Sequence, residues 1–472
     1  MEDIIDDLLL RLEPEFGTKK IDSLKLLYRI GDDERKERIL KIASLSAKKL
    51  INDNLLNNQP LLPPSTKSEC EGKKQIYAGT VCYGKDNSGK DRELYPLYLD
   101  YEDIKNHILI TGLSGTGKTT LGYNLLKNLA KKNKKAIIFD WDRTWRNFLS
   151  LDNKQYPFID NIRVFTIGRN EICPFSWNMF FTPPPNVKFS SWLGIASSKP
   201  LQKSLMSGQG VEDYLENISE ELMESYQKGI LKLLPNIEDI KIKLQSRFAK
   251  SRQLLWKQSA ERVLKELTRE CMKEVFGSRE PINISKEILE NNGITIIEMD
   301  IETPDHLRVL FQELLLNYFM LYYLHKGEVE KEHLETAIFL EEFPNMLPKS
   351  KIELQVGGEI INKLFKEGRK FGIGLIAIAQ ESSELPNYVT ANCKVQFNFA
   401  AQTKKDIEAT AGSMFLKKHE IPFLDYIWQG ECFAKVKGRV KNCLLKIPAS
   451  PIKGRITDDE LKELMQKWNH QN

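Results

Sequence analysis

Residues 112–119 read Gly112-Leu113-Ser114-Gly115-Thr116-Gly117-Lys118-Thr119, and this GxxxxGK[ST] stretch with its two flanks decides the fold. Ile108-Leu109-Ile110 ahead of it is an apolar run fit for a buried strand, while Leu121, Leu125, Leu126 and Leu129 after it recur at helical spacing. The motif therefore lies between a strand and a helix. Backbone N–H groups of a glycine-rich turn point inward there, and the helix adds its positive end, so the concavity attracts anions. Gly112 through Thr120 are expected to line a triphosphate, with Lys118 on the β- and γ-phosphates of ATP and Thr119 on Mg²⁺. A chance glycine-rich turn is the bland reading, and the strand-loop-helix context speaks against it.

Composition bounds the rest. A chain of 472 residues with 41% hydrophobic content has length for about three domains and material for a packed core. Lys+Arg at 69 against Asp+Glu at 65 gives a formal charge of +4, too balanced to argue for nucleic acid by itself. Seven cysteines without a CxxC pair point to reduced thiols in the cytoplasm rather than a disulfide scaffold or zinc site. The chain opens on acidic residues where a secretory signal carries basic ones. No apolar run approaches the ~20 residues of a membrane span, so no membrane association is expected.

Residues 1–56 read as a small helical domain, with Ile5, Leu8, Leu9 and Leu12 in one stripe and Ile39, Ile42, Leu45 and Leu50 in another. The polar, proline-bearing segment 57–74 reads as a linker. An α/β core over 75–186 and 291–450 follows from apolar runs alternating with helical segments: 76–82, 108–110, 136–139, 294–299, 336–340, 373–379 and 395–400. That alternation predicts a mainly parallel sheet covered by helices. Residues 187–290 read as a helical insertion whose basic stretch, Lys241 to Arg262 around Trp256, is either a solvated bundle face or a nucleic-acid contact. Residues 431–436 and 440–445 suggest a closing β-hairpin. A last helix within 451–472 starts at a Thr457/Glu460 capping box and carries Leu461, Leu464 and Trp468 on one face.

Hydrolysis needs more than a phosphate loop. Ala337-Ile338-Phe339-Leu340-Glu341-Glu342 ends an apolar strand in two carboxylates, of which Glu341 is expected to hold Mg²⁺ through water and Glu342 to polarise the attacking water. Two solvated carboxylates at a strand end are the alternative. Gln380, at the C-terminal end of the run 373–379, occupies the position where open α/β sheets meet ligands and is a candidate γ-phosphate sensor. Arg369 lies at the opposite end of that run. It is either a surface residue near a helix C-terminus closed by Gly372 or a guanidinium serving a neighbouring subunit's nucleotide. No Asp/Glu/Lys cluster resembles a nuclease core, and the six histidines offer no metal-ligand spacing.

Taken in order, 107–119, Ile137-Ile138-Phe139-Asp140, the Leu340-Glu341-Glu342 strand end and 367–380 resemble the HerA/FtsK superfamily, most closely its HerA-type ATPases. The resemblance implies a RecA-like P-loop ATPase core, assembled as a hexameric homo-oligomer that translocates double-stranded DNA. Glu342 would be the catalytic acid, Gln380 the sensor and Arg369 a finger acting in trans. It further implies a partner nuclease or other effector, in DNA processing or antiphage defence. Two features depart from the family pattern: a helical segment replaces the usual N-terminal β-barrel, and the acidic pair is Glu-Glu where Asp-Glu is common. Two other classes share the motifs. One is a type IV secretion or conjugation ATPase, the other a nucleotide-gated ring scaffold.

Overall fold

A computed structural model of the chain describes residues 16–56, 64–85, 91–247, 251–347 and 359–471, apart from 419, 426, 451 and 453, together with positions 5, 8, 9, 12 and 62. The strands are β1 Ile76–Lys85, β2 Asp91–Leu99, β3 Ile108–Thr111, β4 Ala136–Asp140, β5 Ile162–Ile167, β6 Ile294–Met299, β7 Thr336–Leu340, β8 Ile373–Ala379, β9 Val395–Asn398, β10 Glu431–Val436 and β11 Val440–Lys446. The chain divides into two compact units, Met1–Asn128 with Ile378–Ser450, and Leu129–Ala377 with Pro451–Asn472.

In the second unit the strands follow the order β8-β7-β4-β6-β5 and every pair is parallel. Their sequences explain it: AIIFD, ITIIEM, TAIFL and IGLIAIA are mainly apolar and buried at every position, as strands covered on both faces must be, with Asp140 and Glu298 the buried charges among them. The covering helix Asp305–Lys326 is buried along most of its length and stops at Gly327, whose φ of 102° a side chain would resist. Helices fill 189–289 as expected for the insertion. Trp192 of that stretch packs edge-on against Tyr318 of the covering helix, and Trp177, ahead of the stretch, packs edge-on against Phe311 and Tyr318. Among the described residues of the basic stretch, Lys243 and Arg247 both pair with Glu221, and the Lys257 ammonium donates to the Gln245 and Arg247 carbonyls; Lys250 and the Arg252 side chain lie outside the described residues. Trp256 covers Gly210 so closely that a Cβ there would lie 2.3 Å from the indole. This is the bundle-face reading of that stretch.

The first unit runs β2-β1-β11-β10-β9-β3, antiparallel except for the parallel pair β3/β9. The expected hairpin is β10/β11, seated between β9 and β1. The run 76–82, assigned from sequence to a parallel sheet, is instead antiparallel to both its neighbours. Two strands escape the sequence reading altogether. β2 (DRELYPLYL) carries Pro96 and three charges, which an edge strand with one unpaired side tolerates. β5 (IRVFTI) has Arg163 in an otherwise apolar run.

Helices Thr18–Ile30 and Asp33–Leu56 form a hairpin about their own small core of Ile5, Leu9, Leu12, Ile21, Tyr28, Ala43 and Ala47. The first predicted stripe holds, with Leu8 partly buried. Of the second, Ile39 packs partly buried against this core, but Ala43 and Ala47 are its buried residues whereas Ile42 and Leu45 stand 60% and 62% exposed, and the Leu50 side chain lies outside the described residues. Large side chains drew that register, but the small side chains of Ala43 and Ala47 are the ones that enter the core. The segment read as a linker is fixed from Leu62 onward. Leu62 is buried against Met414, Phe423 and Phe433, and Thr66 and Glu69 form a capping box for the helix Lys67–Glu71. Residues 57–61 and 63 lie outside the described residues.

Candidate functional site

The phosphate loop leaves β3 and enters the helix Lys118–Lys131 with Gly112, Gly115 and Gly117 at φ of 137°, 76° and 123°. Each is a backbone state that L side chains resist, and two are also crowded. A Cβ on Gly112 would lie 2.5 Å from the Phe399 Cβ, and one on Gly117 3.1 Å from the Phe399 ring. The loop is pinned on several sides. Leu113 N–H donates to the Ala400 carbonyl at 3.0 Å, Gly430 N–H to the Thr116 carbonyl at 2.9 Å, and Thr116 Oγ1 to the Leu113 carbonyl at 2.7 Å. Lys118, only 7% exposed, donates from Nζ to the Leu113 carbonyl at 2.8 Å. Below the loop, Thr111 Oγ1 donates to Asn398 Oδ1 at 2.6 Å, fixing β3 to β9. Glycines where side chains would clash, followed by Lys118, Thr119 and Thr120 on the first helical turn, fit a phosphate chain and its Mg²⁺. Ser114 and Gly115 form the exposed tip.

In the second unit, adjacent parallel strands β4 and β7 end side by side, so Asp140 and Glu341 meet. Both are buried, at 0% and 4% exposure. The Asp140 carboxylate accepts from the Trp145 N–H at 2.8 Å and the Asp142 N–H at 3.1 Å, and Glu341 Oε2 accepts from the Trp145 indole at 3.1 Å. Burial pushes Asp140 up to about 6. Burial, and then the Asp140 carboxyl beside it, raises Glu341 well above the usual carboxylate range. Side by side and buried, the two carboxyls disfavour carrying two negative charges at once, which holds both above the usual carboxylate range.

Glu342, the next residue, is half-buried and left-handed at φ 46°, ψ 43°, a costly backbone state for a residue with a side chain. The short 3-10 turn Phe343–Met346 follows it. Lys203 from the insertion holds that turn: its ammonium donates to the Met346 carbonyl at 2.8 Å and pairs with buried Glu313. Trp145 and Lys203 were not singled out from sequence. An indole and an amine that act through partners nearly 200 and 150 residues away leave no local pattern.

Arg369 is exposed on the 3-10 turn Gly368–Phe371, which ends at Gly372 with φ 75°. It stands at the N-terminal end of β8, whereas Glu341 and Glu342 stand at the C-terminal end of parallel β7; seven residues of strand put the two positions roughly 20 Å apart along the sheet. Within this unit the structure therefore joins Glu341 and Glu342 at one strand end and keeps Arg369 at the other. Gln380 is exposed directly after β8. No group of three or more His, Cys, Asp or Glu residues able to hold a metal occurs among the described residues.

A second ionic cluster fastens the C-terminal helix Asp458–Gln471 to the unit. Arg146 donates to Glu298 Oε2 at 2.7 Å and to Asp458 Oδ1 at 2.5 Å, Arg143 pairs with Asp300 at 3.0 Å, and Arg169 reaches Asp458 at 3.2 Å. The predicted capping box is present, Thr457 N–H donating to Glu460 at 2.8 Å. Among the described residues of its apolar face Leu461 and Met465 are buried and Leu464 is half-buried, the Trp468 side chain lying outside the described residues, and Met465 Sδ accepts from the Val164 N–H of β5 at 3.3 Å.

A family model described as "Helicase HerA, central domain" matches residues 76–319, slightly more than half of the chain. The match takes in the phosphate loop and Asp140 and ends before Glu341. No curated protein matches the sequence. Among solved structures, VirB4 of Thermoanaerobacter pseudethanolicus is similar with a TM-score of 0.57 and 16% identity, over 80% of this chain and 97% of that one. Plasmid coupling protein TrwB in complex with ADP and Mg²⁺ gives 0.57 and 13%, over 84% and 95%. Bacterial conjugative coupling protein TrwBdeltaN70 gives 0.56 and 11%, over 83% and 94%. At these identities the likeness is one of fold, and the fold is the RecA-like P-loop architecture. No helix among the described residues is long and apolar enough to cross a membrane.

Proposed function

The chain belongs to the family of the helicase HerA central domain, and from that membership we propose that it is an ATP hydrolase. Its subunits would form a hexameric ring that moves double-stranded DNA, working with a partner nuclease or other effector. The observation that carries the reading is the phosphate loop itself: three glycines held at positive φ, pinned from outside, with Lys118 and Thr119 beginning the helix.

The residues divide the work. Main-chain N–H groups of 114–119 bind the phosphates, that of Leu113 being held by the Ala400 carbonyl, and Lys118 leaves its Leu113 carbonyl for the β- and γ-oxygens. Thr119 directly, and Glu341 through water, would hold Mg²⁺, which when bound neutralises charge on the phosphates. Glu342 orients the attacking water and takes its proton. Gln380 reads the γ-phosphate. Arg369, at the far end of its strand, acts on a neighbouring subunit's nucleotide.

Turnover of ATP measured with and without duplex DNA, together with displacement of a protein roadblock from that duplex, tests the proposal. Stimulated turnover with directional displacement supports a motor. Nucleotide-dependent assembly with DNA-indifferent turnover would replace it with a nucleotide-gated scaffold. A type IV secretion or conjugation ATPase is the second reading, favoured by the fold shared with VirB4 and TrwB along most of the chain. Turnover stimulated by duplex without any displacement activity would favour it.

A further inference from the structure

Residues 427–430 strap the phosphate loop from outside. Gln429 Nε2 donates to the Gly115 carbonyl and Gly430 N–H to the Thr116 carbonyl, both at 2.9 Å. Gly430, at φ 83°, lies close enough that a Cβ on Gly117 would stand 3.6 Å from it. The strap is anchored at both ends. Leu424 and Ile427 are buried in a cluster that Leu113 of the loop also packs against, and the Gly430 carbonyl accepts from the Ile447 N–H at 2.8 Å. Between the anchors stands Trp428, 71% exposed, its own carbonyl accepting from the Glu431 N–H at 3.0 Å.

An exposed aromatic alone needs no explanation. This one differs because its backbone is fixed on both sides, one residue from a side chain bonded to the tip of the phosphate loop. The carbonyls of Gly115 and Thr116 are taken by the strap, which leaves the loop's N–H groups for phosphate. An exposed indole carried on that strap offers a π-face, which recognises any nucleobase without a hydrogen-bond code.

We infer that Trp428 is the stacking platform for the base of the nucleotide whose phosphates the loop holds, an inference that rests on the phosphate-loop reading above. Gln429 and Gly430 position it. Calorimetric titration of the full chain with ADP and with inorganic pyrophosphate separates base from phosphate recognition. Trp428→Ala is expected to weaken ADP about tenfold, the scale of one base stacked on an aromatic, and to leave pyrophosphate unchanged. Trp428→Phe keeps a ring and should return ADP close to wild type. Equal losses for both ligands, or no loss for ADP, would overturn the inference. Lys118→Ala should weaken both ligands. If it weakened neither, the phosphate-loop reading would itself fail, a result distinct from failure of the stacking platform alone.

Discussion

The phosphate loop and the carboxylate end of β4 and β7 are built by opposite means. The loop is main chain: glycine conformations and backbone N–H groups, with one lysine and one threonine. The carboxylate end is side chain, since Asp140, Trp145 and Glu341 come from segments about 200 residues apart and are held by burial and mutual hydrogen bonds. A main-chain site loses function when one contact is lost, with little effect on the fold around it. A buried side-chain site is also a structural joint, so changes there are expected to cost stability as well.

Four substitutions probe that contrast. Lys118→Ala should show the largest effect, a loss of turnover on the order of 10³-fold, about 4 kcal/mol of barrier, with an unchanged melting temperature. A large drop in melting temperature would break the contrast, which assigns the Lys118 ammonium to the phosphates rather than to the fold. Glu342→Gln should bind ATP as wild type does and hydrolyse it roughly 10²-fold more slowly, the usual scale for loss of a general base; single-turnover assays alongside binding titrations separate the two. Arg146→Ala should destabilise the fold by about 3 kcal/mol in chemical denaturation, because Glu298, 0% exposed, loses its two-pronged partner; nucleotide affinity should hold. Trp145→Phe keeps the packing but removes the donor to buried Glu341, with an expected cost of about 1–2 kcal/mol. If Trp145→Phe proved neutral in denaturation, the carboxyl pair would not depend on the indole, and the joint would rest on burial alone.

The same contrast explains what could be read in the chain before its structure. The loop was legible because its requirements are local: three glycines, a lysine and a threonine at fixed spacing. Strands β3, β4, β6, β7 and β8 were legible because burial on both faces forces continuous apolar runs. β2 was not, since an edge strand tolerates Pro96 and Glu93 where a central one would not. The second N-terminal stripe was legible only at Ile39, because Ile42 and Leu45 look like core residues while Ala43 and Ala47 are the ones buried. Glu341 and Glu342 were legible as a strand end, but the neighbouring carboxyl of Asp140 and the supports Trp145 and Lys203 exist only once β4 and β7 lie side by side and the insertion packs beside them.

The central claim is that hydrolysis requires a lysine from one subunit and an arginine from the next. Turnover measured in mixtures of Lys118→Ala and Arg369→Ala chains tests it most directly. Each variant alone should be nearly inert, and mixtures should recover part of the wild-type rate, greatest near equal proportions, as intact composite sites form. No recovery at any ratio, or an Arg369→Ala chain that turns over ATP at the wild-type rate, would contradict the account.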